Sequence, residues 1–158
     1  MSLATMLLML ALGLALYARH WFSLAGRSRV GAQSEDQVQR ALVVLEGEGW
    51  RLRHSLGWQG PGDVDSVAIA TTGMAVVIET KTRSYEERHL VRVRMQAAWL
   101  VRRRRRWCRD GAVAVLCLVR AHGVQRVERD VLVVSIDQLI PALRSAMLPA
   151  RGLVLRLG

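Results

Sequence analysis

"GDVDSVAIATTGMAVVIETKTR", Gly62 to Arg83, decides how the rest of the chain is read. Two apolar runs, VDSVAIA and MAVVIETK, flank Thr71, Thr72 and Gly73. This is a hairpin signal with a three-residue loop, and its last position is a glycine that can take a left-handed conformation. With that loop Ala70 faces Met74, and every pair of opposed residues has numbers summing to 144. Asp65 and Glu79 then stand directly opposite each other on one face, with Cβ atoms about 5 Å apart. Lys81 lies two residues beyond Glu79 and shares that face. It is also the only lysine among 23 basic residues. Where arginine serves at every other basic position, the exception marks a place where an amine is needed.

Two carboxylates at such a distance repel and weaken the hairpin. A divalent cation between them turns the repulsion into coordination, and hard oxygen ligands suit Mg²⁺ or Mn²⁺. Lys81 would then hold or deprotonate an attacking water, or stabilise phosphorane-like charge. The plainer reading is a surface Glu–Lys pair at a strand end, with Asp65 a turn residue. A one-residue slip of register would send the two acids to opposite faces.

The chain around this hairpin has 158 residues, room for one domain plus an appendage. Its hydrophobic share of 51% is enough for a core, and its formal charge of +10 favours polyanionic partners, nucleic acid or anionic lipid. Removing Arg19, Arg27 and Arg29 still leaves +7 on residues 31–158, so the basic character belongs to the domain. Cys108 and Cys117 are too few for a disulfide framework, and no Cys/His cluster suggests zinc. Both fit a reducing compartment. His20, His54, His89 and His122 are isolated, and no glycine-rich phosphate loop or internal repeat is present.

"MSLATMLLMLALGLALYA" carries no charged side chain over 18 residues. As a helix it would be about 27 Å long, close to the ~30 Å hydrocarbon core of a bilayer. Tyr17, Trp21 and Phe22 stand where an interfacial belt belongs, with arginines directly after them. A cleaved signal peptide would carry its positive charge ahead of the apolar stretch. The expectation is a transmembrane anchor over residues 1–22 and a basic linker over 23–30. The positive-inside rule puts the domain in the cytoplasm, at the inner membrane.

Beyond the linker, "GAQSEDQVQRALVVLEGEGW" reads as a helix. Ser34 and Gln37 have capping-box spacing, Gly47 and Gly49 supply the stop, and Val38, Leu42 and Leu45 form its apolar stripe. Glu35, three residues before Val38, falls near the inward face; its ordinary reading is a first-turn acid that favours the helix dipole. After a Gly/Pro loop at Gly57–Gly62 and the hairpin, "SYEERHLVRVR" admits a short strand over His89–Val93. "MQAAWLVRRRRRWCRDG" reads as a helix closed by Asp110–Gly111, with Gln96, Leu100, Arg103 and Trp107 along one stripe. Arg102, Arg103, Arg104, Arg105 and Arg106 form either a phosphate-gripping patch or a solvated helix end. "AVAVLCLVRA" is a strand fit for burial on both faces, Val131–Ser135 is another, and Pro141 shortens or bends the helix that follows. Residues 149–158 read as an edge strand or a tail.

The order of these features resembles the nuclease-related domain (NERD) family of the PD-(D/E)XK nuclease superfamily. The matching stretches are GAQSED (Gly31–Asp36), GDVDSVAI (Gly62–Ile69), TGMAVVIETK (Thr72–Lys81) and Gln96. The resemblance implies an α/β fold, a central mixed β-sheet flanked by helices with a restriction-endonuclease-like core, over residues 31–148. It also implies metal-dependent phosphodiester hydrolysis. Asp65 and Glu79 would bind Mg²⁺ or Mn²⁺, Lys81 would assist the water, Glu35 would orient or share the metal, and Gln96 would support the site. The family's usual residue after the motif aspartate is histidine, where this chain has Ser66. The expected function is a membrane-anchored nuclease acting on DNA. Its alternatives are an inactive nucleic-acid-binding module of the same fold, or a membrane scaffold binding anionic lipid or a partner protein.

Overall fold

The computed structural model describes residues 3–146. The chain forms two compact units, Met1–Gln33 and Ser34–Gly158. Nine elements follow one another. They are α1 (Leu3–Glu46), β1 (Arg51–Gly57), β2 (Asp63–Ile69), β3 (Met74–Lys81), α2 (Glu87–Arg103), β4 (Gly111–Leu118), β5 (Gln125–Glu128), β6 (Val131–Ser135) and α3 (Ile136–Ala146).

Six strands make one mixed sheet in the order β1-β2-β3-β4-β6-β5. The hairpin is as its loop requires: Ser66 faces Ile78 and Ile69 faces Ala75, so paired numbers sum to 144. Gly73 closes the loop at φ 96°, a conformation side chains other than hydrogen rarely adopt. From β3 the chain crosses over through α2 and returns as β4, parallel to β3. Every residue of β4 is buried, as expected for a strand covered on both faces.

Two apolar layers sandwich the sheet. Val38, Leu42 and Leu45 of α1, with Leu139 and Leu143 of α3, pack on Val76 and Ile78. Leu90, Val93, Ala97 and Leu100 of α2 pack on Ala75 and Val77 of the opposite face. The alternation along β3 therefore sends odd-numbered side chains, Glu79 and Lys81 included, to the α2 side. Cys108 and Cys117 are free and buried, and burial pushes their thiols up to about 11 and about 12.

Several expectations need correction. The anchor expected over residues 1–22 is helical from Leu3, but among the described residues no helix is long and apolar enough to cross a membrane. The apolar segment has no boundary of its own, because one helix runs 44 residues from Leu3 through Arg27, Arg29 and Glu35 to Glu46. The linker at 23–30 is therefore helical too, and Ser34 is no N-cap; its hydroxyl instead shares a 3.2 Å hydrogen bond with that of Thr82. Met1, Ser2 and the 149–158 segment lie outside the described residues.

His89–Val93 is helix rather than strand, since Leu90, Val93, Ala97 and Leu100 recur at helical spacing. The cap explains the start: the Glu86 N–H donates to His89 Nδ1 at 2.9 Å, a histidine doing the work of the usual Glu or Gln. The helix ends at Arg103 rather than near Gly111, with the Arg104 N–H bonded back to the Leu100 carbonyl. β1 and β5 join the sheet as edge strands.

Candidate active site

The acids and the lysine singled out in the sequence meet at the C-terminal end of β3. Continuing the ladder one step past Ser66 and Ile78 brings Asp65 level with Glu79. Neighbouring β1 pairs His54 with Ser66 and Leu56 with Val64, so Ser55 is the residue left opposite Asp65. Ser55 has φ 49°, a left-handed backbone within a strand. Glu35, Asp65, Glu79 and Lys81 line one cavity of about 330 Å³ with Ser55 and Arg92.

Within it Glu79 is 1% exposed, and its Oε1 meets Lys81 Nζ at 2.9 Å, the ammonium side chain being 25% exposed. Arg92 Nε stands 3.8 Å from Glu79 Oε2, and that oxygen is buried without a hydrogen-bond partner. The Thr80 N–H donates to Asp65 Oδ2 at 2.7 Å, which locks the Asp65 carboxylate toward the β3 end. Burial, and after it the Glu79 charge, pushes the Asp65 carboxyl up to about 7. The Thr80 hydrogen bond and Lys81 pull it down, and Glu35 adds to the rise. Glu35 is thus close enough to be felt electrostatically.

Gln96 is fully buried behind the cavity, where its Nε2 donates to the Asp63 carbonyl at 3.3 Å. Arg92 Nη2 donates to the same carbonyl at 3.2 Å, so two α2 side chains one turn apart fix the start of β2. Ser66 is buried with its hydroxyl 2.9 Å from His54 Nδ1, so an imidazole stands against the motif from β1.

The structure therefore gathers Glu35, Asp65, Glu79 and Lys81 and sets Gln96 behind them. It does not gather Arg102–Arg106 there. Arg105 and Arg106 join Arg51 and Arg109 around the Thr71–Gly73 turn, at the other end of β3. Seven strand steps separate Met74 from Lys81, ~23 Å at the usual rise. Arg104 lies over the Trp107 ring at 5.4 Å, and Arg102 borders a groove along α2. Ser55 and Arg92 were not among the residues expected from sequence. Arg92 had a signal, standing four residues before Gln96 on one helix face; Ser55 had none, because its place opposite Asp65 depends on strand pairing. Among the described residues no group of three or more His, Cys, Asp or Glu is gathered as a metal cage. What the cavity offers is a carboxylate pair with Glu35 beside it.

The family model described as Nuclease-related domain (NERD) matches residues 30–112, more than half of the chain. No curated protein and no solved structure matches the chain. The matched residues supply the end of α1, the β1–β3 sheet, α2 and the first strand turn of β4, and so every side chain of the cavity; the chain belongs to the nuclease-related domain family.

Proposed function

We propose that the protein is a metal-dependent nuclease that hydrolyses phosphodiester bonds in DNA. The observation that carries this reading is the carboxylate pair: Asp65 and Glu79 level on adjacent strands, one oxygen of Glu79 buried without a partner, and Lys81 on the same face. These donors fit Mg²⁺ or Mn²⁺, since hard oxygens and two mutually repelling charges both favour a hard dication. An ion held by Asp65 and Glu79 would neutralise that repulsion and polarise a phosphoryl oxygen. Lys81 presents a compact ammonium at the cavity wall, where it stabilises charge that develops on the phosphoryl oxygens. Glu35 stands opposite as a second acceptor that orients a water. Gln96 and Arg92 fix the backbone at Asp63 and so keep Asp65 in place.

The N-terminal helix supplies the location in this proposal. Met9, Leu10, Leu12, Leu14 and Leu16 are each more than half exposed, an apolar surface suited to the cytoplasmic face of an inner membrane.

One observation favours a second reading, a binding module that does not cleave. Lys81 and Arg92 already neutralise Glu79 within the protein, with no cation needed. Incubating purified full-length protein with single-stranded and double-stranded DNA, with Mg²⁺ or with EDTA, separates the two. The nuclease reading expects strand breaks with Mg²⁺ that stop with EDTA and with Asp65→Ala. DNA bound in a salt-dependent manner yet left intact in Mg²⁺ and Mn²⁺ establishes the module instead.

A further inference from the structure

A groove of about 820 Å³, larger than the acid cavity, runs along α2 beneath the Trp58–Pro61 loop. Arg92 lines both, so the two adjoin at its side chain. Its floor is apolar: Val91 and Met95, one helical turn apart, are 45% and 55% exposed beside Trp58. The other face of α2 packs Leu90, Val93, Ala97 and Leu100 into the core, so Val91 and Met95 are not needed there. Trp58 is held by the loop itself, since a Cβ on Gly60 would lie 2.2 Å from the indole ring. Arg88, which pairs with Glu86, stands along the rim with Arg92 and Arg102, and among the described residues no acidic one lines the groove. From Arg88 to Arg102 the helix rises ~21 Å, about six steps of a stacked strand at ~3.4 Å each.

This pairing of an apolar floor with a cationic rim selects among polyanions. A duplex offers phosphates to the rim but keeps its base faces stacked inside, leaving Val91 and Met95 uncovered. Unpaired nucleotides offer both, phosphates to the arginines and base faces to the floor. The groove adjoins the acid cavity across the Arg92 side chain, so a strand lying in it would bring its next phosphate to the side of Asp65 and Glu79. We propose that the α2 groove binds the unpaired nucleotides flanking the scissile phosphate, so that the substrate is single-stranded nucleic acid. The inference rests on the nuclease reading for the scissile phosphate, but binding in the groove does not require cleavage.

The test is fluorescence anisotropy of the full-length protein in EDTA, with labelled oligothymidine of about 12 nucleotides and a duplex of equal length. The expected result is at least about tenfold tighter binding of the single strand. Met95→Glu should abolish most of that preference, weakening the single strand far more than the duplex with melting temperature unchanged, and Met95→Leu should keep it. Equal affinity for the duplex, or full single-strand affinity in Met95→Glu, would overturn the proposal. So would a dimer that Met95→Glu dissociates, which assigns the groove to a second copy. Because EDTA removes cleavage from the readout, failure of the nuclease reading appears only in the Mg²⁺ assay, and failure of the groove only here.

Discussion

Glu79 carries opposing demands. Its carboxylate is buried almost completely, a state tolerated only when neighbouring groups replace water, and Lys81 and Arg92 do so in part. Its unpartnered Oε2 keeps the site short of full satisfaction, as expected of a ligand waiting for a cation. Lys81 is the sharper test of function. A guanidinium is planar, wide and never deprotonated, whereas the lysine amine is compact. Lys81→Arg should therefore leave DNA affinity and its salt dependence nearly unchanged, yet slow cleavage by at least about 100-fold. Wild-type cleavage by the purified variant would return this lysine to an ordinary surface charge. Asp65 yields a prediction in pH. Its carboxyl titrates near 7 in the folded protein against an ordinary 3.8, so the native state holds the extra proton between those values. The group's contribution to stability is complete below about 3.8 and is lost as pH rises through about 7. In EDTA, Asp65→Asn should melt higher than wild type at pH 8, and the gap should close as pH falls toward 4. A deficit in the variant across the whole range would give Asp65 a plain structural role.

The elements owe their arrangement to a few local devices. Ser55 sits with φ 49° in the middle of β1, opposite Asp65, and a side chain there costs on the order of 1 kcal/mol or more. Ser55→Gly should hold or slightly raise the melting temperature, while Ser55→Val should lower stability by more than 1 kcal/mol, roughly. Thermal melts of the two variants check this; equal losses in both would mean that the Ser55 backbone stores no strain. The hairpin, β4 and β6 were legible because their apolar runs end at glycine or a charged turn. The register was legible as well, since a three-residue loop closed by Gly73 leaves one pairing. β1 was not, because RLRHSLG alternates among arginine, histidine and serine and pairs only along one edge. β5 was hidden by its turn, where Arg129 and Asp130 both take positive φ without a glycine. The start of α2 was hidden by a histidine in the cap. Of the site, Asp65, Glu79 and Lys81 could be read from spacing, Glu35 and Gln96 came with the family resemblance, and Arg92 had its helical spacing to Gln96; Ser55 depended on contacts that only folding makes.

For the folded unit from Ser34 onward, charge is distributed by end. Acids collect at the C-terminal end of β3 and arginines at its N-terminal end around the Thr71–Gly73 turn. A run of five consecutive arginines looks like one patch in sequence, but the helix stops at Arg103 and the turn after it fans them apart. The basic residues best placed to serve the acid cavity are therefore those of α2, Arg92 foremost. In the proposed function Asp65 and Glu79 together hold a divalent cation. The most direct measurement is anomalous scattering from crystals of the protein soaked in Mn²⁺. A peak bound by both the Asp65 and Glu79 carboxylates is the predicted result. An intact Lys81–Glu79 pair with no peak in the cavity at saturating Mn²⁺ would contradict it.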